Sequence, residues 1–179
     1  MFWRKILHVL VISILLIGGF TAPSGAEASK ILPKSSLAKP TATTHTVCAS
    51  GCDFSSIQVA IDAASAGDTI NLAGEIFTES ITINKSLEFI GAGAENTIVQ
   101  AATIPGIATD RVITVSGGVD VNIQGLTLRY GKAKPGMFEI SFCGGVSNEG
   151  DLILSQVAIT QNISNEVGGG ICNSGTLNY

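Results

Sequence analysis

A chain of 179 residues with a formal charge of −4 and only 13% charged side chains holds enough sequence for one domain. It lacks the basic run or basic face that a nucleic-acid binder needs. Its 21 glycines and 6% aromatics suit a turn-rich β protein better than a helical one. The two histidines, His8 and His45, supply no metal-ligating cluster, so neither a metal nor a cofactor is expected.

Residues 1–28 read as a secretory signal peptide. Met1-Phe-Trp-Arg-Lys5 is a basic start, Ile6 to Phe20 is apolar, and Ala26-Glu27-Ala28 is an A-x-A cleavage site. The apolar run of about 15 residues falls short of the ~20 that span a bilayer, so no transmembrane span is expected once the leader is removed. The expected location is secreted or cell-surface, where disulfides persist.

Residues 29–46 are rich in Ser, Thr, Pro, Lys and Ala without an apolar period, and read as a flexible linker. A β-repeat domain is expected over 47–179. It opens with Cys48-Ala-Ser-Gly-Cys52, a tight loop suited to a local disulfide. A helix is predicted over 53–65, because Ile57, Ala60, Ile61 and Ala64 share one face. Asp53 or Ser55 is its expected N-cap, Phe54 a staple on the first turn, and Gly67 its end. A short amphipathic helix before a β repeat would cover the open end of the apolar stack.

Coils are expected over 67–179. Short alternating strands are predicted over 68–72, 80–83, 86–90, 97–100, 111–115, 119–123, 126–130, 151–154, 157–160 and 176–178. Gly125 separates two of them with no room for a helical crossover. Cys143-Gly-Gly-Val-Ser-Asn-Glu-Gly-Asp-Leu152 recurs 25 residues later as Gly168-Gly-Gly-Ile-Cys-Asn-Ser-Gly-Thr-Leu177. A fixed period of this length marks a solenoid, here about four to five coils of about three strands each. Gly144, Gly145, Gly169 and Gly170 are expected to supply turn angles. Asn148 and Asn173 are expected to bond along the stack as an amide ladder. In register Cys143 stacks on Gly168, and four extended residues reach ~13 Å. No Cys143–Cys172 disulfide is therefore expected unless the glycine turn folds sharply back.

Two stretches carry a family resemblance. Phe54-Ser-Ser-Ile-Gln-Val-Ala-Ile-Asp-Ala-Ala-Ser-Ala-Gly-Asp-Thr-Ile70, followed by Thr78-Glu-Ser-Ile-Thr-Ile-Asn-Lys-Ser-Leu-Glu-Phe-Ile-Gly91, resembles the N-terminal cap and first coils of pectin-lyase-like right-handed parallel β-helix proteins. Gly168-Gly-Gly-Ile-Cys-Asn-Ser-Gly-Thr-Leu177 is similar to the Gly-Gly-hydrophobic repeat of polymorphic outer-membrane proteins. Ile159-Thr-Gln-Asn162 is similar to the companion apolar-x-x-Asn element of that repeat, without its usual Phe. The resemblance implies an all-β right-handed parallel β-helix with an N-terminal capping helix. The family hosts lyases, hydrolases and adhesins, so it specifies fold more than function.

The outward polar candidates for binding are Glu88, Asp120, Asn122, Arg129 and Asp151. They fall on different strands, and no catalytic residue stands out among them. Asn84-Lys-Ser86 and Asn162-Ile-Ser164 are formal glycosylation sequons. Two function classes follow. One is an exported non-catalytic module that binds a polysaccharide or cell-surface component, adhesive or structural in role. The other is a polysaccharide-degrading lyase or hydrolase, which needs convergent carboxylates. The last repeat runs into Tyr179 in mid-strand. The expectation is an N-terminal fragment, incomplete at the C-terminus, whose open coil self-associates.

Overall fold

The computed structural model describes residues 41–135, 141–165 and 168–179. The leader 1–28 and the linker up to residue 40 lie outside the described residues. The chain is an all-β, right-handed parallel β-helix with one short capping helix.

The elements are β1 (Thr44–Val47), α1 (Ile57–Ala63), β2 (Thr69–Leu72), β3 (Ile76–Thr78), β4 (Ile81–Ile83), β5 (Leu87–Ile90), β6 (Ile98–Gln100), β7 (Ile113–Val115) and β8 (Asp120–Arg129). They continue with β9 (Lys134–Pro135), β10 (Ser141–Phe142), β11 (Val146–Asn148), β12 (Asp151–Thr160), β13 (Ile171–Asn173) and β14 (Thr176–Asn178). A first face stacks β1, β2, β5, the first half of β8, the first half of β12, and β14 in parallel. A second stacks β3, β6 and the second halves of β8 and β12. A third stacks β4, β7, β11 and β13. Among the described residues, only β9 and β10 pair antiparallel.

The core runs up the inside of these faces. On the first face Ile70, Phe89, Ile123 and Leu154 stack as successive inward residues, all buried. Like-on-like stacking of branched and aromatic side chains is what an in-register parallel ladder rewards. Removing one such side chain costs ~2–5 kcal/mol.

The spacing between rungs is not fixed. It is 25 residues for Thr44↔Thr69, 19 for Thr69↔Glu88, 34 for Leu87↔Val121, 31 for Asp120↔Asp151 and 25 for Asp151↔Thr176. Turns absorb the difference while the strands keep register. Thr44, His45 and Thr46 lie inside the stretch that composition reads as a linker, yet with Val47 they form the first rung. Four residues are too few to show a period, and pairing with β2 is what orders them. Gly125 does not split two strands: β8 runs through it with a left-handed bend at φ 67°. Gln156, one rung on, bends the same way at φ 54°. These corners turn the chain from the first face to the second.

The helix is shorter than the apolar pattern suggests, and its N-cap is Ser56 rather than Asp53 or Ser55. The Asp53 carboxylate is occupied elsewhere: it accepts from the Thr46 amide at 2.8 Å and the Thr46 hydroxyl at 2.7 Å. Helix α1 ends at Ala63, and Gly67 sits at φ 92° in the turn beyond. Ile57, Ala60 and Ile61 bury the helix on the first coil.

The Gly-Gly pairs have a different role from the expected one. None of Gly144, Gly145, Gly169 and Gly170 has a positive φ; the left-handed residues are Cys143 and Gly168. A side chain on Gly144 would strike the Ile163 backbone, and one on Gly145 the Gly170 carbonyl. At Gly144 and Gly145 it is the close stacking of successive turns that excludes a Cβ, and not the backbone angle.

Cys48–Cys52 and Cys143–Cys172 are both disulfides, the latter with Cα atoms 5.3 Å apart. The second corrects the expectation drawn from an extended 168–172 segment. With Gly168 at φ 68° and Cys143 at φ 66°, the chain folds back and closes that distance. Asn148 and Asn173 do form an amide ladder, Asn148 donating from Nδ2 to Asn173 Oδ1 at 2.6 Å. They lie on strands β11 and β13 rather than in turns.

Candidate functional site

An in-register parallel stack turns sequence positions into columns. Outward residues of neighbouring rungs lie about 4.8 Å apart. On the first face, one column is Asp120, Asp151 and Thr176. The adjacent column is Thr69, Glu88, Asn122, Ile153 and Asn178. A cleft of about 340 Å³ opens over these columns, lined by Asp120, Asn122, Asp151, Ile153, Thr176 and Asn178, with Leu87 and Val121 at its floor.

Four of the five sequence candidates thus share one surface: Glu88, Asp120, Asn122 and Asp151. Asp120 and Asp151 are exposed. Between them and Glu88 sits Asn122, whose Nδ2 donates to Glu88 Oε1 at 3.4 Å. The buried Asn122 Oδ1 has no protein partner. Glu88 also accepts from the Thr69 hydroxyl at 3.3 Å. Ile153 is 45% exposed in the midst of these polar groups, an apolar contact between hydrogen-bonding neighbours. Thr176, Asn178 and Ile153 were not among the sequence candidates. The 25-residue repeat, applied to Asp151, would have found Thr176.

Arg129 lies elsewhere. The bend at Gly125 carries it to the second face, in an outward column with Thr78, Gln100 and Thr160. It joins none of the carboxylates of the cleft.

A third polar cluster sits at the first rung. Asp68 is buried and accepts from the Thr43 amide at 2.8 Å, the Ser65 amide at 2.8 Å and His45 Nε2 at 3.1 Å. These donors, the Thr43 amide foremost, lower its pKa from 3.8 to about 2. Phe54 meets the His45 ring edge-on at 5.7 Å. With every partner local, this cluster ties the chain before β1 to the turn after α1. Among the described residues, no group of three His, Cys, Asp or Glu is arranged to hold a metal ion.

No protein-family model matches the chain, and no curated protein matches it by sequence. Solved structures match its fold. A pectin methylesterase variant bound to a hexasaccharide superposes with a TM-score of 0.50 and 21% identity, over 78% of this chain and 46% of that one. A second pectin methylesterase–hexasaccharide complex gives 0.50 and 20%, over 76% and 46%. Pectin methylesterase from carrot gives 0.51 and 17%, over 68% and 41%. The chain spans less than half the length of each of these structures. At these identities the likeness establishes the parallel β-helix fold and nothing finer.

Proposed function

We propose that this chain is an exported, non-catalytic β-helix that binds a polysaccharide along its first face. The observation that carries the reading is the open cleft in which the Asp120–Asp151–Thr176 column runs beside Asn122, Ile153 and Asn178. It offers hydroxyl-binding carboxylates and amides on either side of an exposed aliphatic contact. That is the mixture a sugar ring, polar at its rim and apolar on its face, requires. From β5 to β14 the cleft crosses three strand spacings, about 14 Å, long enough for an extended ligand. Two of the β-helix neighbours hold a hexasaccharide. The acidic lining favours a neutral glycan over an anionic one.

A second reading has its own observation. Asp120 and Asp151 are adjacent in register, and paired carboxylates can hydrolyse glycosides. The fold neighbours are enzymes, which favours catalysis. Against it, both carboxylates are exposed to solvent, whereas the general acid of a glycosidase lies against apolar surroundings. Export is supported by the leader sequence and by two disulfides, which persist in oxidising compartments. Cell-surface placement is supported by the outer-membrane-type Gly-Gly-Ile repeats.

The test is calorimetric titration with a panel of neutral oligosaccharides, alongside assays for reducing ends and released methanol. Binding without turnover, weakened in Asp120→Ala and Asp151→Ala, supports the module. Turnover abolished in Asp151→Asn replaces it with the enzyme. No binding at millimolar ligand overturns both.

A further inference from the structure

We infer that the loop at 101–110, between β6 and β7, is a docking point for an anionic lipid surface. Both feet of the loop are anchored, because Ala102 and Ala108 are buried. Between them Ile104-Pro-Gly-Ile107 reverses direction, with Gly106 at φ 87°. Proline followed by a left-handed glycine is the sequence of a type II turn. That turn holds the two isoleucines at its corners, and they are 55% and 58% exposed. Ile163, which pairs in parallel with Lys132, comes up against the same turn. Its Cδ1 lies 3.8 Å from where a Gly106 Cβ would stand. Three branched side chains thus share one outward patch.

The charges around the patch point to its ligand. Beyond Lys85 the sequence has four basic residues, Arg111, Arg129, Lys132 and Lys134, within a chain of net charge −4. All four fall in the two segments that meet at this loop. Lys132 donates from Nζ to the Gly106 carbonyl at 3.5 Å, which keeps its ammonium beside the turn. Its amide donates to the Asp110 carbonyl at 2.9 Å and closes the loop's far end. Arg111 follows directly, and Arg129 is bonded to Gln100, the residue before the loop begins. The one carboxylate in these two segments is Asp110, 3.8 Å from Arg111. An apolar tip ringed by cations has the chemistry of an interfacial anchor. Aliphatic side chains enter the acyl boundary while ammonium and guanidinium groups meet lipid phosphates. Tyr130, with its ring centroid 4.5 Å from the Arg129 guanidinium carbon, adds an amphipathic ring of the kind that settles at headgroup depth. A protein partner fits less well: three isoleucines and a proline fall far short of the ~800 Å² per partner that a stable protein interface buries.

The inference is independent of the glycan reading, which concerns the first face. It is tested with the full chain, methyl-labelled at isoleucine and valine, mixed with nanodiscs that carry spin-labelled lipid. Discs of phosphatidylcholine mixed with phosphatidylglycerol are compared with discs of phosphatidylcholine alone. Val59 on α1 and Ile76 on β3 are internal controls, being 54% and 57% exposed. In the anionic discs the Ile104 and Ile107 methyl signals should broaden about threefold more than the controls. The contrast should fade in neutral discs and with added salt. Lys132→Gln should weaken it severalfold. Ile104→Ser combined with Ile107→Ser should remove the broadening of Ile163, and those changes touch only exposed side chains. An apolar leader still on the chain tethers it to either disc alike, so the local contrast reads the loop alone. Equal broadening at the loop and the controls, or none at Ile104 and Ile107, overturns the site. An undiminished contrast in neutral discs overturns the role of lipid charge. Ile104 and Ile107 signals that shift with protein concentration before lipid is added give the patch to a second copy instead.

Discussion

Helix α1 is clamped at both ends by one short segment of the next coil, and replacing Lys85 by Met tests what that clamp contributes. Lys85 Nζ donates to the Ile61, Asp62 and Ala64 carbonyls at 3.0, 2.8 and 2.8 Å. Those are carbonyls of the last turn, which have no partner within the helix. All three ammonium donors are used, and the positive charge meets the negative end of the helix dipole. At the other end the Glu79 carboxylate accepts from the Ser56 hydroxyl at 2.8 Å, the Ile57 amide at 3.0 Å and the Gln58 amide at 3.2 Å. Between the two lies β4, which packs beneath the helix.

The substitution keeps the aliphatic stem and removes the charge and three donors. Hydrogen bonds to a charged group contribute ~1.5–3 kcal/mol each when buried. Lys85 is only partly buried, so water recovers a large part of that. The net loss is set at about 1.5–3 kcal/mol, including ~0.3–1 kcal/mol from the dipole. For an ordered body of this size the melting temperature falls ~3–5 °C per kcal/mol, so the expected drop is about 5–15 °C. Thermal and urea unfolding followed by circular dichroism measure it. Glu79→Gln should cost a similar amount. The two ends are ~10 Å apart along the helix, so the double variant should be additive within ~0.5 kcal/mol. A Lys85→Met protein within 0.5 kcal/mol of the parent, with unchanged amide protection in residues 57–63, would refute the clamp.

Three further outcomes are expected. Replacing Cys143 and Cys172 by Ser opens a loop with a sequence separation of 29, and loop entropy alone predicts a loss of ~3.6 kcal/mol, read from the urea midpoint. Peptide mapping that finds either cysteine free in the parent would remove the basis for that figure. Gly145→Ala forces a methyl into the Gly170 carbonyl and to 2.8 Å from Asn162 Nδ2, whereas at Gly170 nothing lies nearer than 3.8 Å. The first should cost more than ~2 kcal/mol and the second less than ~1, and equal costs would contradict the stacking account. Asp68 has its pKa depressed to about 2 in the folded chain, so its contribution is present above pH ~4 and lost as pH falls toward 2. Asp68→Asn should flatten that limb of the urea-midpoint profile, and an unchanged limb would assign acid sensitivity elsewhere.

The parallel β-helix was legible because its strands alternate and its last two coils repeat. Val146, Asn148 and Leu152 stack on Ile171, Asn173 and Leu177 just as the 25-residue shift aligns them. What sequence did not show follows from variable turn length. The 34- and 31-residue steps around β8 hide which polar residues share a column. Glu88, Asp120, Asn122 and Asp151 could be named as outward but not placed together. The bend at Gly125 reverses the case for Arg129, which looks like their companion and is turned onto another face. Glu79 and Lys85 escaped notice for a related reason. They cap a helix about 20 residues upstream, and capping read from sequence looks only to adjacent residues.

The same geometry sorts charge. Carboxylates collect on the first face because Asp120 and Asp151 occupy one register position on successive rungs, with Glu88 and Asn122 in the adjacent column. Like charges stacked in a ladder repel by a few tenths of a kcal/mol or more. A purely structural surface gains nothing from keeping them, and in an exposed cleft their oxygens are available to hydroxyl donors. Arg129 sits around a corner from them, beyond the Gly125 bend, with its neutral partner Gln100 taking the place of a counter-ion. An anionic chain is therefore repelled by the first face. Ionic strength tests that charge: binding of a neutral glycan on the first face should be nearly indifferent to added salt, and binding of a cationic oligosaccharide there should decline with it. Equal salt dependence for the two ligands would mean that the Asp120 and Asp151 carboxylates take no part in binding, and the reading of the first face as an acidic hydroxyl-binding surface would fall.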